Sequence, residues 1–219
     1  NMIYIHIGPH KTGSTSIQGF MVAHEGALAA HAVHYPEVGR TRGGGHYGLK
    51  AEIRDRRSSP DGWGEVAALD KVFPGSKTVL SCEGFEYLNP KQIGRIAECL
   101  KGRQVTVVGY FREYAGLIQS QYLQLSRICR NVDDFDPFFE RYVAENERLF
   151  LRFEHWADAF GWANVQVRHF DRAHLVGGDV VEDFIHTLGL SLAQLKVKFA
   201  SERNLAPPWQ VLLHNRHRD

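Results

Sequence analysis

One short stretch near the amino terminus combines small residues with a lysine in a way that suits anion binding. Gly8–Thr15 reads GPHKTGST and lies between the apolar run Met2–Ile7 and apolar residues that recur at helical intervals from Ser14 onward. A helix amino terminus exposes unpaired N–H groups and partial positive charge, and a glycine-rich turn lets that backbone close around an anion. Lys11 adds a full charge. The stretch predicts a strand, a phosphate-binding loop and a helix.

The spacing within this loop departs from the nucleoside-triphosphatase pattern. A Walker loop reads GxxxxGK[ST], with the lysine directly after the second glycine, whereas Lys11 comes two positions before Gly13. No apolar strand ends in an aspartate of the Walker B type that would hold Mg²⁺. A kinase-like phosphotransferase that uses ATP and Mg²⁺ nevertheless stays open as an alternative, as does a module that binds a nucleotide without catalysis.

A second candidate anion site follows the most apolar segment of the chain. Gln104–Phe111, QVTVVGYF, has the β-branched and nearly continuous apolar run of a buried parallel strand, and Arg112 follows it directly. Ser120 lies about two helical turns further along the next predicted helix. Arg112 and Ser120 could therefore bind a second phosphate at the same edge of the sheet.

Together, KTGST at 11–15 and YFREYAGLIQSQY at 110–122 resemble the PAPS-dependent sulfotransferases, in particular their bacterial carbohydrate-type members. The resemblance extends more loosely across most of the chain, through a histidine after a YP-x-x-G stretch, an SxE segment and an Arg–Asn element near the carboxyl terminus. It implies transfer of a sulfuryl group from PAPS to a hydroxyl of a saccharide or another small acceptor. The product would be 3′,5′-ADP, and no metal would be required.

The resemblance also implies roles for individual residues. The 5′-phosphosulfate would be bound by Lys11, Thr12, Gly13, Ser14 and Thr15. Arg112 and Ser120 would bind the 3′-phosphate, and His10 would contact the donor beside Lys11. Arg203 and Asn204 stand where the animal cytosolic enzymes carry an element that covers the adenosine.

The acceptor hydroxyl must lose a proton, and a positioned base is expected to contribute ~10²–10⁴ in rate. Glu83 follows the predicted strand Lys77–Ser81, at the edge where open α/β sheets bind ligands. His46 has the better matched chemistry at neutral pH, because an imidazole has an ordinary pKa of about 6.5 against about 4.3 for a glutamate. We expect Glu83 to be the base, with His46 as its partner in base catalysis or acceptor binding. Lys11 is the expected third catalytic residue, since it would stabilise charge on the transferring group.

These sites need a sheet that gathers the ends of its strands at one edge. Predicted strands alternate with predicted helices, which indicates parallel β-α-β units. The expected fold is an α/β, P-loop-like, three-layer fold with a central, mostly parallel sheet flanked by helices, in a single domain over residues 1–219. The glycine-rich segment Tyr35–Gly64 is expected to be a partly mobile surface loop with one short helix at Tyr47–Arg54.

Charge and cysteine usage narrow the partners and the compartment. Lys and Arg number 26 against 25 Asp and Glu, a net charge of +1, so no global positive field attracts nucleic acid or anionic lipid. The three cysteines form no CxxC pair, and no apolar run approaches the ~18 residues that span a bilayer. The twelve histidines form no HExxH motif. We expect a cytoplasmic protein without a metal centre, membrane insertion or a nucleic-acid partner, and the sequence does not indicate its oligomeric state.

Overall fold

Strands and helices alternate along the chain, as the computed structural model shows for residues 2–55, 59–128, 130, 133–145 and 151–198. The strands are β1 (Met2–His6), β2 (Val33–His34), β3 (Lys77–Ser81), β4 (Gln104–Phe111) and β5 (Val165–His169). The α-helices of this part of the chain are α1 (Ser14–Ala23), α2 (Glu25–Ala29), α3 (Tyr47–Arg54), α4 (Asp61–Val72), α5 (Pro90–Cys99), α6 (Tyr114–Arg127), α7 (Phe135–Glu145), α8 (Leu151–Phe160), α9 (Val180–Thr187) and α10 (Leu192–Leu195).

The five strands form one sheet in the order β2-β3-β1-β4-β5, and every neighbouring pair is parallel. His6 at the end of β1 is level with Ser81 of β3 on one side and with Val108 of β4 on the other. Because parallel strands end at the same edge, the segments that follow β1, β3 and β4 meet there. The strand order also changes direction at β1, because β3 is added on one side of β1 and β4 on the other. Open α/β sheets bind ligands at such a switch point. The expected α/β fold is confirmed.

The alternation of side chains along the strands builds one apolar core on each face of the sheet. Ile3, Ile5 and Ile7 of the β1 segment pack with the residues of α3, α4, α5 and α8, whereas Tyr4 packs with those of α1 and α9 on the opposite face. Strands with both faces covered need apolar residues at almost every position, which is the pattern that Gln104–Phe111 shows. Helices therefore flank both faces, as in a three-layer fold.

The glycine-rich segment Tyr35–Gly64 is the main departure from expectation. Its helix α3 was predicted correctly, but part of the segment does not lie at the surface, since Tyr35, His46 and Ile53 are buried. Glycine here serves close packing, because a Cβ at Gly48 would lie 2.8 Å from the backbone of Gly39. Glycine composition alone does not distinguish a tightly packed turn from a mobile one, and the mobility of the segment stays a prediction.

Packing of α8 onto β4 depends on a glycine. A Cβ at Gly109 would lie 2.3 Å from the ring of Phe153. Gly109→Ala is therefore expected to lower the free energy of unfolding by about 1–3 kcal/mol through overpacking. Gly94→Ala on α5 is the matched control, because nothing lies within 4 Å of its added Cβ, and a helical alanine should stabilise by about 0.5–1 kcal/mol. Urea denaturation measures both changes, and equal effects of the two substitutions would contradict this packing.

Candidate active site

The turn after β1, residues 8–13 and here called the Lys11 loop, is tightly fitted between its neighbours. Gly8, Lys11 and Gly13 all have positive φ, at 90°, 69° and 79°. A Cβ at Gly8 would lie 2.9 Å from the backbone of Glu83, and one at Gly13 would lie 2.6 Å from Val180. Lys11 is thus a non-glycine residue in the left-handed region, a conformation that costs about 1–3 kcal/mol and is concentrated at functional sites.

The Lys11 loop leads into helix α1, whose amino terminus lies at the edge of the sheet and has no side-chain cap. Gly13 is the N-cap of α1. Ser14, in the first turn, is buried, and its hydroxyl has no hydrogen-bond partner in the described part of the chain. Buried hydroxyls are normally paired. An anion bound at this terminus would satisfy both the free N–H groups and Ser14.

Arg112 reaches the same loop from β4. Its Nη1 donates a hydrogen bond to the carbonyl of Lys11 at 3.3 Å, and its guanidinium lies 5.7 Å from the centre of the Phe170 ring. The side chain runs along the first turn of α6, where a Cβ at Gly116 would lie 3.3 Å from Nε. Ser120 comes four residues later and therefore shares that helix face. The two predicted anion sites thus belong to one continuous surface.

Positive charge is concentrated on this surface. Burial, with the positive charges of Arg112 and Arg127, lowers the pKa of Lys11, and burial also lowers the pKa of Arg112. Among the described residues, none of these three cations forms an ion pair with a carboxylate. Like charges that lower one another's pKa attract an anion strongly. Positive charge is therefore concentrated at the carboxyl ends of β1 and β4, where an anion would be attracted.

Glu83 borders the loop on the β3 side. Its Oε2 accepts a hydrogen bond from Gln18 Nε2 at 2.8 Å, and the hydroxyl of Tyr47 donates to the same carboxylate. Burial by itself would raise the pKa of Glu83, but these two donors, a backbone N–H and the nearby positive form of His10 together hold the pKa below its usual range. The carboxylate is therefore ionised at neutral pH and is a weak base.

His46 is enclosed rather than exposed to a substrate. Its Nδ1 accepts a hydrogen bond from the backbone N–H of Ser81 at 3.1 Å, and its Nε2 lies 2.9 Å from the carbonyl of Pro36, to which it donates. Burial lowers the pKa of His46 to about 4. Both nitrogens are thus used by backbone groups, which favours a structural role that joins the Tyr35–Gly64 segment to β3.

His10 has a different environment from His46. Its Nδ1 and its backbone N–H both contact Oε1 of Glu86, and Oε2 of Glu86 accepts a hydrogen bond from Arg152. Glu86 is 3% exposed, whereas the side chain of His10 is 40% exposed. Burial would raise the pKa of Glu86, but His10 and Arg152 together lower it. A buried, ionised carboxylate thus contacts one side of a histidine whose side chain remains partly exposed.

The remaining expected residues have varied locations. Thr12 is buried, and its hydroxyl donates to the carbonyl of Pro9 at 2.6 Å, so its backbone N–H is what could contact an anion. Thr15 is exposed. Arg203 and Asn204 lie outside the described residues.

Four residues of this site were not among those expected from the sequence: Arg127, Phe170, Glu86 and Arg152. Phe170 directly follows β5, so its position at a strand end could have indicated that it belongs to the site. Arg127 ends α6, seven residues after Ser120 and therefore on the same side of that helix. For Glu86 and Arg152 no local pattern in the sequence indicated the contact.

The described residues contain no group of three or more His, Cys, Asp or Glu side chains arranged to hold a metal ion. No helix within them is both long enough and apolar enough to cross a bilayer.

Comparisons with known proteins add two similarities. No family model matches the chain. A protein of Archaeoglobus fulgidus, described as an uncharacterized protein, is 25% identical over 118 residues, which are 54% of this chain and 32% of that protein. The chain thus spans about a third of the length of this relative. A crystal structure of a sulfotransferase from Alicyclobacillus acidocaldarius is similar with a TM-score of 0.49 and 16% identity, over 97% of this chain and 90% of that chain.

The environment of His46 predicts a pH dependence of stability. The imidazole is neutral in the folded protein down to a pKa of about 4 and titrates near 6.5 when unfolded, so the unfolded state binds more protons between these values. The free energy of unfolding should therefore fall as the pH drops, by about 2 kcal/mol for this group between pH 7 and pH 5. His46→Gln should be less stable at pH 7 but lose about 2 kcal/mol less over this range. Urea denaturation at both pH values tests this, and an unchanged slope in the variant would contradict it.

Proposed function

We propose that the protein transfers a sulfuryl group from PAPS to a hydroxyl of a small acceptor, such as a saccharide, and releases 3′,5′-ADP. The observation that carries the proposal is the contact between the Arg112 guanidinium and the Lys11 loop. This contact joins two cationic segments that are far apart in the chain into one surface. A ligand that carries phosphate groups on both the 5′ and the 3′ oxygen of one adenosine ribose matches that arrangement, and the motifs that resemble the sulfotransferases are the ones that meet here.

The donor would lie along the cationic surface. The backbone N–H groups of the Lys11 loop and the hydroxyl of Ser14 would hold the 5′-phosphosulfate at the amino terminus of α1. Arg112 and Ser120 would hold the 3′-phosphate over the first turns of α6, with Arg127 adding charge from the end of that helix. Phe170, which contacts Arg112, offers an apolar ring beside the nucleotide.

Lys11 would act on the reacting group itself. Sulfuryl transfer needs in-line geometry and stabilisation of charge on the bridging and equatorial oxygens. A lysine held by a strained backbone and surrounded by N–H donors can supply that stabilisation without reorganising. Glu83 lies against Gly8 on the opposite side of the loop, where it would orient the acceptor hydroxyl through its ionised carboxylate.

Arg112→Ala tests the donor site. The variant loses charge-assisted hydrogen bonds to the 3′-phosphate, so its affinity for 3′,5′-ADP should fall about 10- to 100-fold. Isothermal titration calorimetry measures this without metal, and Lys101→Ala, at an exposed position before β4, is the control that should bind normally. Binding of ATP that requires Mg²⁺, with no binding of 3′,5′-ADP, would instead support the kinase-like alternative.

Lys11→Ala tests the chemical step. The product lacks the sulfuryl group, so 3′,5′-ADP affinity should fall less than tenfold, while turnover of PAPS over a panel of sugar and phenol acceptors should fall ~10²–10³-fold. Release of 3′,5′-ADP from PAPS measures the turnover. Equal losses in affinity and turnover would show that Lys11 contributes to binding alone. Ligand binding without turnover by the wild-type protein would favour a non-catalytic nucleotide-binding module.

A further inference from the structure

Glu86 is the most deeply buried carboxylate beside the Lys11 loop, and its contacts are all to one small network. Its side chain is 1% exposed. Oε1 accepts from the backbone N–H of His10 at 3.1 Å and contacts His10 Nδ1, while Arg152 binds Oε2. A buried carboxylate that contacts a cation and accepts from a backbone N–H is held in its ionised form, and an ionised carboxylate can only accept hydrogen bonds.

This environment fixes the tautomer of His10. Since Glu86 offers no hydrogen to Nδ1, Nδ1 must carry the proton and donate it to Oε1. In the neutral imidazole the lone pair then belongs to Nε2. Nε2 has no hydrogen-bond partner among the described residues, and the side chain is 40% exposed. A basic nitrogen is thus held in a defined direction and left open.

The imidazole lies where an acceptor would approach. His10 directly precedes Lys11, and it is close enough to Glu83 for its positive form to lower the pKa of that carboxyl. Its ring is 5.2 Å from the ring of Tyr87, which is 58% exposed. An exposed aromatic ring beside a basic nitrogen and a carboxylate is a surface suited to a hydroxylated ligand such as a sugar.

From this geometry we infer that His10 is the general base of the reaction, with Glu86 as the residue that positions it, an inference that rests on the proposed sulfuryl transfer. The acceptor oxygen attacks the sulfur, and the bond from sulfur to the 5′-phosphate oxygen breaks with its electron pair on that oxygen. The hydroxyl proton passes to Nε2 of His10. The imidazolium keeps its Nδ1–H bond to Glu86 until Nε2 releases the proton to water.

The two bases expected from the sequence are less suited to this step. Glu83 already accepts from Gln18 and Tyr47, which make its lone pairs less basic. His46 has both nitrogens bonded to the backbone. His10 alone among these three presents an unshared lone pair. Glu83 is then left to orient the acceptor hydroxyl.

The first experiment runs the reaction backwards, with 3′,5′-ADP as sulfuryl acceptor and aryl sulfates as donors. In this direction His10 must protonate the departing phenol oxygen. Phenyl sulfate needs this proton because an ordinary phenol has a pKa of about 10, whereas 4-nitrophenyl sulfate releases a more acidic phenol. His10→Asn keeps an N–H for Glu86 but has no basic nitrogen. It should slow phenyl sulfate about 100-fold or more and 4-nitrophenyl sulfate less than tenfold, with 3′,5′-ADP affinity unchanged. His31→Asn, before β2 at the opposite edge, should behave as wild type.

The second experiment needs no substrate. Nitrogen NMR of the imidazoles in the full chain should show the His10 signal, identified by its absence in His10→Asn, as the Nδ1–H tautomer when the imidazole is in its neutral form. Glu86→Gln, which keeps the shape of the side chain, should give a mixture of tautomers and lower kcat about tenfold with KM unchanged. A network that merely stabilises the loop would change the free energy of unfolding without changing the tautomer.

The outcomes separate this inference from the proposed function. A wild-type protein that fails to bind 3′,5′-ADP removes the sulfotransferase proposal itself. If it binds 3′,5′-ADP, then equal slowing of the two aryl sulfates by His10→Asn, or no slowing, overturns the role of His10. If neither aryl sulfate reacts with the wild type, the NMR spectrum decides: an Nε2–H tautomer overturns the inference, and an Nδ1–H tautomer that Glu86→Gln perturbs supports it.

Discussion

Like charges gathered at one edge of the sheet are the constraint on which the site depends. Lys11 and Arg112 are both partly buried. Burial, together with the positive charges of Arg112 and Arg127, lowers the pKa of Lys11, and burial lowers the pKa of Arg112. This repulsion costs folding free energy that a bound anion would return, since binding to the folded state alone stabilises it. The backbone of Lys11 adds strain in the same place. Unfavourable backbone conformations of this kind are concentrated at functional sites.

Parallel pairing makes this concentration of charge possible. β1 pairs with β3 and β4, so the segments after these strands leave the same edge as immediate neighbours. The Lys11 loop therefore meets Glu83 on one side and Arg112 on the other without any long excursion of the chain. The close approach leaves no room for a Cβ at Gly8 or Gly13. Register, more than loop length, determines which side chains can act on one ligand.

The sequence predicts the parts of this site that depend on local pattern. An apolar strand followed by a polar or charged residue identifies Lys11, Glu83 and Arg112, because each lies just beyond a strand end. The contact of His10 with Glu86 joins residues 76 positions apart, and no pattern of residue spacing in the sequence predicts it. The hydrogen bonds of His46 with Pro36 and Ser81 also join separate elements, so the sequence could not indicate them. The role of His46 as a partner of Glu83 in base catalysis or acceptor binding stays a prediction, and its burial favours a structural role instead.

The two carboxylates beside the Lys11 loop make one side of the site acidic, whereas the other side is basic. Glu83 and Glu86 belong to one 3-10 turn, Glu83–Tyr87, and a spacing of three places them on the same face of it. That face is the β3 side of the Lys11 loop, whereas Arg112 and Arg127 lie on the β4 side. Under the proposed function, a polyanionic donor such as PAPS would be attracted to the second side and repelled from the first. The acidic side would then be left for a neutral acceptor hydroxyl.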